Sequence, residues 1–214
     1  MANSNNNLIF QRLLDRYPDL AVCAEEVAAA GEILVKAAKN GNKILLCGNG
    51  GSAADADHIC GELIKSFCKK RPIEKKLAEK LKELDAKSGA FLAEKLQGGI
   101  PSISLTFHNA FSTAFANDVD PVLGFAQQCQ VFGKPEDVFW GISTSGNAEN
   151  VYYGALTAKA AGLKVLGLTG KSGGKLSALC DVCICVPRTE TYEVQELHLP
   201  VYHALCLYIA DLLW

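Results

Sequence analysis

The chain has 214 residues, of which 49% are hydrophobic and 21% are charged, and its formal net charge is −2. This composition is typical of a folded globular protein and is too apolar for an intrinsically disordered one. The nearly neutral charge excludes an overall basic field of the kind that holds nucleic acid or an anionic membrane surface. No apolar run approaches the roughly 18–20 residues that span a bilayer. The length favours a single domain over residues 1–214 with a sizeable core.

The N-terminal segment 1–7 is polar and lacks the apolar core of a signal peptide. Nine cysteines lie mostly within apolar stretches, such as KILLC (43–47) and HALC (203–206). We therefore expect free thiols in a reducing cytoplasm. The C-x-x-C-x-C motif at 180–185 also fits a metal site. However, it alternates like a buried strand and no second cysteine pair follows, so we favour the strand.

Apolar residues recur at helical spacing between residues 7 and 40, where Pro18 separates two predicted helices and Gly41 is placed to end the second. Beyond Gly41 the spacing of the apolar residues changes. Short apolar runs that predict strands buried on both faces occur at 43–47, 101–105, 138–142, 164–169 and 182–186. Helical patterns between them occur at 52–67, 147–161 and 192–213. Five strands with helical crossovers predict an α/β fold, with helices on both faces of a parallel sheet.

A charged segment from Lys69 to Gln97 separates the first crossover helix from the second strand. Leu77, Leu81 and Leu84 recur in it at helical spacing among lysines and glutamates. We predict a helical insertion, at about 70–99, that packs on the surface or against another subunit. A regulatory or partner-binding role is the alternative. Because its basic residues alternate with acidic ones, we do not expect it to bind nucleic acid.

Two predicted strands end in loops suited to a phosphate group. The first loop, GNGGS (48–52), follows KILLC, and the second loop, STSGN (143–147), follows VFWGI. Each precedes a helix, so free N–H groups, hydroxyls and the positive end of a helix dipole meet beyond the sheet. Neither loop has the lysine of a Walker A motif, and position 53 is alanine where G-x-G-x-x-G needs glycine. We therefore expect a sugar phosphate. A dinucleotide site and plain strand–helix turns are the alternatives.

Two helices carry residues suited to acid–base chemistry. His58 and Glu62 are spaced i, i+4 and project from one face of the helix after the first loop, and Gln195 and His203 lie on roughly one side of the last helix, where Pro200 can introduce a kink. Isomerisation between ketose and aldose moves a proton between C1 and C2 through an enediol, and Glu62 as base with His203 as acid would serve it. The same four side chains offer nitrogen and oxygen ligands for a divalent ion, with zinc the best match. Taken alone, an i, i+4 His/Glu pair is more often an ordinary polar contact.

Several stretches together resemble the sugar isomerase (SIS) family. They are CGNGGSAADADHICGEL (47–63), Ala116-Asn117-Asp118, GISTSGNAENV (141–151), LGLTGKSGGKL (166–176) and VQELHLPVYHALC (194–206). The resemblance covers nearly the whole chain apart from the insertion. It implies one flavodoxin-like SIS domain that converts sedoheptulose 7-phosphate to D-glycero-D-manno-heptose 7-phosphate. It also implies a homotetramer with active sites between subunits.

Positions that match the family's functional residues are implied to share their roles. Glu62 matches the general base and His203 the general acid. The implied ligands of one Zn²⁺ per subunit are His58, Glu62, Gln195 and His203. The implied substrate-binding positions are Asn49, Gly50, Gly51, Ser52, Asn117, Asp118, Ser143, Thr144, Ser145, Asn147 and Gln195.

The chain also departs from the family pattern. Ala148 stands where the second loop often has serine, and His108 and Tyr192 stand where many members have acidic residues. Because these positions touch or border the sugar, an isomerase of a different phosphosugar is one alternative. A non-catalytic SIS protein that regulates or scaffolds is another. The presence of both Glu62 and His203 favours an enzyme.

Overall fold

The computed structural model describes residues 4–214 of the chain. The expectation of no signal peptide falls partly on residues 1–3, which lie outside the described residues. Over the described range, no helix combines the length and the apolarity that crossing a membrane requires.

Five parallel strands form one sheet in the order β2-β1-β3-β4-β5. The strands are β1 (Ile44–Cys47), β2 (Ser102–Ser104), β3 (Val138–Ser143), β4 (Lys164–Thr169) and β5 (Val182–Cys185). Leu45 pairs with Ile103 on one side and with Phe139 on the other, so β1 lies between β2 and β3. This is the flavodoxin-like order, whose ligands bind beyond the carboxyl ends of β1 and β3, where the winding direction reverses. The predicted α/β fold is confirmed.

Helices cover both faces of the sheet. In residues 4–214 they are α1 (Ser4–Arg16), α2 (Ala24–Lys39), α3 (Gly51–Ile64), α4 (Lys75–Leu84), α5 (Ala86–Lys95), α6 (Asn109–Asp118), α7 (Gly124–Phe132), α8 (Glu149–Ala160), α9 (Gly174–Ser177) and α10 (Thr191–Leu213). A 3₁₀ helix, Pro18–Cys23, joins α1 to α2, where the sequence predicted a simple break. Pro18 is placed in its first turn, where its missing N–H donor costs no hydrogen bond. The last helix continues through Pro200.

Two apolar layers bury the sheet from opposite sides. Leu46 and Trp140 point into the layer under α1, α2, α3 and α10, whereas Leu45 and Phe139 point into the layer under α7 and α8. All four side chains are fully buried. Strands buried on both faces are nearly continuous in apolar residues, and for this reason their positions could be predicted from sequence.

Helices α3 and α10 lie side by side and run in the same direction. Gly51, which begins α3, lies so close to Gln195 that a Cβ there would be 2.5 Å from the amide nitrogen. Further along both helices, His58 contacts Tyr202 and His203. This parallel packing brings polar residues of the two helices into contact at two points along the helix axes, first at Gln195 and then at His58.

The predicted insertion forms a helical hairpin, in which α4 and α5 pack mainly against each other. Gly89 is necessary for their close approach, because a Cβ there would be 2.0 Å from the carbonyl oxygen of Leu81. The base of the hairpin is closed by an antiparallel bridge between Pro72 and Gln97. Apolar side chains of the hairpin remain exposed, and Phe91 is an example at 60%.

Candidate active site

The first loop turns sharply where β1 ends. Gly50 has φ 55° and ψ −121°, a conformation open to glycine and strained for other residues. A Cβ on Gly48 would be 2.5 Å from the carbonyl oxygen of Ser52, so that position also requires glycine. The N–H of Ser52 donates to the carbonyl of Asn49 at 3.0 Å. The turn thus aims the positive end of α3 at the carboxyl edge of the sheet.

The second loop is fixed by the neighbouring 170–176 segment. Gly146 has φ 66°, and a Cβ there would be 2.0 Å from the carbonyl oxygen of Gly173. The N–H of Gly170 donates to the carbonyl of Thr144 at 2.9 Å. The Asn147 amide donates to the carbonyl of Ser145 at 3.0 Å and accepts from a neighbouring backbone N–H. Asn147 therefore holds the shape of the loop, while the hydroxyls of Thr144 and Ser145 lie at its accessible rim.

A cavity of about 280 Å³ adjoins the first loop. Its lining includes Asn49, Thr106, Gln128 and Asn150. Asn150, on the first turn of α8, is not among the predicted site residues. Its position one turn beyond Asn147 was the available signal.

Three of the predicted catalytic or metal-binding residues meet between α3 and α10. The Nε2 atoms of His58 and His203 are 3.5 Å apart, and His58 Nε2 is 3.5 Å from Glu62 Oε1. Glu62 is only 8% exposed, whereas the His58 side chain is 42% exposed. The cluster thus consists of a buried carboxyl group beside two imidazoles that reach solvent.

Two residues that were not predicted, Tyr202 and Asp55, form a hydrogen-bonded chain to the Nδ1 side of His58. The buried Tyr202 hydroxyl lies 3.1 Å from His58 Nδ1 and donates to Asp55 Oδ1 at 3.1 Å. Burial raises the pKa of Asp55, while the Tyr202 hydrogen bond and the charge of His58 oppose that shift. Burial lowers the pKa of His203, and the charge of His58 acts in the same direction, against Glu62. The protonated form of His203 is therefore a stronger acid than free imidazole.

Arg71, which is 1% exposed, fixes the end of α3 that carries Glu62. One of its terminal nitrogens donates to the carbonyls of Glu62 and Leu63 at 3.0 Å and to that of Lys65 at 2.8 Å. The guanidinium also lies over the Trp214 ring, 4.9 Å from its centroid. The last carbonyls of a helix need donors and favour a positive charge, so Arg71 stabilises this helix end.

The remaining predicted residues lie apart from this cluster. Gln195 lies beside Gly51, about 12 Å along α10 from His203 at the usual helical rise. Asn117 and Asp118 are exposed at the end of α6, where the Asn117 amide donates to Asp118 at 2.8 Å. Of the three family departures, Ala148 directly precedes α8, His108 Nδ1 contacts the buried Gln128 at 2.6 Å, and Tyr192 is 62% exposed.

Within residues 4–214, no three or more His, Cys, Asp and Glu side chains are arranged as a ready-made metal site. His58 Nε2 is nevertheless 3.5 Å from both Glu62 Oε1 and His203 Nε2, close to the distance between two nitrogen ligands of one tetrahedral zinc, about 3.4 Å. These residues are compatible with a metal ion after small side-chain movements. The metal assignment itself stays a prediction.

Comparison with known proteins identifies the class. The family model described as SIS domain matches residues 20–98 and 98–170, and the chain belongs to this family. It is 35% identical over 203 residues to the phosphoheptose isomerase of Rhodospirillum rubrum, covering 95% of this chain and 94% of that one. It is 40% identical over 173 residues to the phosphoheptose isomerase of Aneurinibacillus thermoaerophilus, covering 81% and 74%.

Solved structures agree. Phosphoheptose isomerase of Neisseria gonorrhoeae superimposes with a TM-score of 0.73 at 30% identity, covering 94% of this chain and 93% of that one. The enzyme of Francisella tularensis gives a TM-score of 0.75 at 28% identity, covering 96% of each chain. The predicted family and the predicted isomerase class are confirmed by these relatives.

Proposed function

We propose that this protein isomerises sedoheptulose 7-phosphate to D-glycero-D-manno-heptose 7-phosphate. The observation that carries the proposal is the buried Glu62 carboxyl group beside His58 and His203. The names of the relatives support this choice of substrate. The two glycine-turned loops at the carboxyl edge of the sheet supply N–H and hydroxyl donors for the phosphate group.

Glu62 and His203 divide the proton transfers between them. Glu62 takes a proton from C1 of the ketose while protonated His203 gives one to the C2 oxygen, which yields the enediol. Glu62 then returns its proton to C2, and His203 removes the proton of the C1 hydroxyl, which leaves the aldehyde. Each group regains its starting state. The lowered pKa of His203 supports its role as the acid.

The side chains proposed to hold Zn²⁺ are His58, Glu62, Gln195 and His203. His58 Nε2 lies 3.5 Å from both Glu62 Oε1 and His203 Nε2, an arrangement that a cation between them would stabilise. When bound, zinc would polarise the oxygens of the sugar. Gln195 lies about two helical turns from His203 in the same chain, so it would reach the ion from a neighbouring subunit.

The same separation supports active sites between subunits. Ser52 is the second residue of α3, and Glu62 lies ten residues later, about 15 Å away at the usual helical rise. A heptose phosphate is shorter than this distance, so the loops and the acid–base pair of one chain would serve different substrate molecules. A cleft of about 550 Å³ between α1 and α10, lined by Arg12, Arg16 and His203, would give a neighbouring chain access to His203. A homotetramer in the cytoplasm is the assembly that we propose.

Proton NMR of the zinc-supplied protein with sedoheptulose 7-phosphate in D₂O tests the proposal. We expect an aldoheptose phosphate that carries solvent deuterium at C2. Turnover of a pentose or hexosamine phosphate in preference to the heptose would overturn the substrate. Binding without turnover of any sugar phosphate would favour a non-catalytic SIS protein.

A further inference from the structure

Tyr202 joins α10 to α3 through two hydrogen bonds at a single hydroxyl oxygen. Its Oη lies 3.1 Å from Asp55 Oδ1 and 3.1 Å from His58 Nδ1. The side chain is 1% exposed, so the phenol is fixed in place by the surrounding core. The His58 and Tyr202 rings meet edge to face, at 75° with centroids 5.5 Å apart.

Counting protons gives this contact a direction. A phenol has one proton to donate, and an ionised carboxylate can only accept. Tyr202 therefore donates to Asp55, and its oxygen must accept from His58. The proton of neutral His58 is then on Nδ1, and Nε2 carries a lone pair.

That lone pair points at the catalytic cluster. His58 Nε2 is 3.5 Å from Glu62 Oε1 and 3.5 Å from His203 Nε2. Were the proton on Nε2, His58 would donate to Glu62 and could not act as a ligand there. The tautomer of His58 thus decides whether the cluster offers a place for a cation.

We propose that Tyr202, anchored by Asp55, is a positioning residue that keeps His58 in its Nδ1–H form and presents Nε2 to Glu62 and His203. The tautomer claim stands on the hydrogen bonds alone, whereas its consequence for zinc rests on the proposed function. Asp55 and His58 are one turn apart on α3, but the sequence gives no sign of Tyr202, which reaches them only through the parallel packing of α3 and α10.

A matched control exists on the same helix. Tyr208 is also buried, at 3% exposure, and its hydroxyl donates to a carboxylate, Glu32. Tyr208→Phe therefore removes an equivalent hydrogen bond from α10 without touching His58. A purely structural role for Tyr202 predicts that Tyr202→Phe and Tyr208→Phe behave alike.

The experiment has two readouts. Long-range ¹H–¹⁵N correlation spectra of histidine-labelled, metal-free protein, recorded above the ordinary imidazole pKa, report the tautomer of His58, with His58→Gln used for assignment. We expect the Nδ1–H pattern in the wild type and in Tyr208→Phe, and a mixture in Tyr202→Phe. Calorimetric titration with Zn²⁺ should show affinity about 10–100-fold weaker in Tyr202→Phe and unchanged in Tyr208→Phe.

An Nε2–H pattern in the wild type would overturn the proposal, as would equal tautomers in wild type and Tyr202→Phe. Equal loss of zinc affinity in both tyrosine variants would reduce Tyr202 to a structural role. If Tyr202→Phe fails to fold, by circular dichroism, the wild-type spectrum still decides. A protein that shows the Nδ1–H pattern but turns over no sugar phosphate would contradict the proposed function and leave this inference intact.

Discussion

The side-chain amides of Asn49 and Asn150 bond to each other twice, each Nδ2 donating to the other's Oδ1 at 2.9 Å. Asn49 lies in the first loop, and Asn150 lies on α8, directly after the second loop. The pair therefore ties the two loops together across the point between β1 and β3 where the sheet reverses its winding.

Breaking this pair should weaken substrate binding. In Asn150→Ala, Asn49 loses its partner and the loops are no longer held in register. We expect KM for the sugar phosphate to rise about 10-fold, equivalent to about 1.4 kcal/mol, with kcat little changed. Steady-state kinetics measure both constants. Asn40→Ala, at the exposed end of α2, is the control. An unchanged KM would show that the loops hold their shape without the pair.

Removing the proposed base should stop turnover and spare binding. Glu62→Gln keeps the shape of the side chain but cannot accept a proton. We expect kcat to fall by about 10²–10⁴-fold, while calorimetric affinity for the sugar phosphate changes little. Glu193→Gln, a half-buried position in the first turn of α10, should leave kcat as it is. Near-normal turnover by the Glu62 variant would refute the assignment of the base.

Metal removal tests the zinc proposal. A chelator should lower activity, and added Zn²⁺ should restore it, because a cation would stabilise the close approach of His58 to Glu62 and His203. In His58→Gln, more Zn²⁺ should be needed for half-maximal recovery. Full activity in protein shown to be metal-free by elemental analysis would remove zinc from the mechanism.

The helix end held by Arg71 should be important for stability. Arg71→Met leaves the carbonyls of Glu62, Leu63 and Lys65 without their shared donor, and buried charge-assisted hydrogen bonds are costly to break. We expect urea denaturation to show a loss of about 2–4 kcal/mol in the free energy of unfolding. The exposed neighbour Lys70→Met should change it by less than about 0.5 kcal/mol. Equal stability of the two variants would contradict this role.

His198 should make the fold sensitive to acid. It is fully buried, and burial lowers its pKa to about 4. The unfolded chain binds a proton at its ordinary pKa of about 6.5, so stability is lost as pH falls from about 6.5 to about 4, by about 3 kcal/mol in all. Urea denaturation across this pH range measures the loss. In His198→Leu the free energy of unfolding should depend less on pH over this range. If it depends on pH as in the wild type, another group is responsible for the loss of stability.

The parts of the fold that could be predicted are those determined by residues close together in the sequence. β3 was recognisable because every residue from Val138 to Ser143 is buried, which demands an unbroken apolar run. Gly50 and Gly146 marked the two loops because their backbones need positive φ.

The parts that sequence missed depend on how helices pack. Tyr202 and Asp55 are 147 residues apart in the chain, and no local pattern reports their contact. The sequence correctly predicts that Gln195 and His203 lie on one side of the same helix. That prediction does not show that they are about 12 Å apart along the helix axis, too far to bind one ion together. Arg71 was read as part of a charged surface segment, although its side chain turns inward to cap α3.

The hairpin of α4 and α5 leaves and rejoins the body at nearly one point. Pro72 bridges Gln97, the N–H of Gly98 donates to the carbonyl of Arg71 at 2.6 Å, and Ile100 donates to Leu63 at 2.9 Å. The end of α3 and the start of β2 are thus spaced by contacts outside the hairpin. Since closing a longer loop costs only about 0.6 kcal/mol per doubling of its length, this side branch can be lengthened, shortened or exchanged at small cost. The base of the hairpin is therefore an insertion site, at which surface can be added without disturbing the candidate active site.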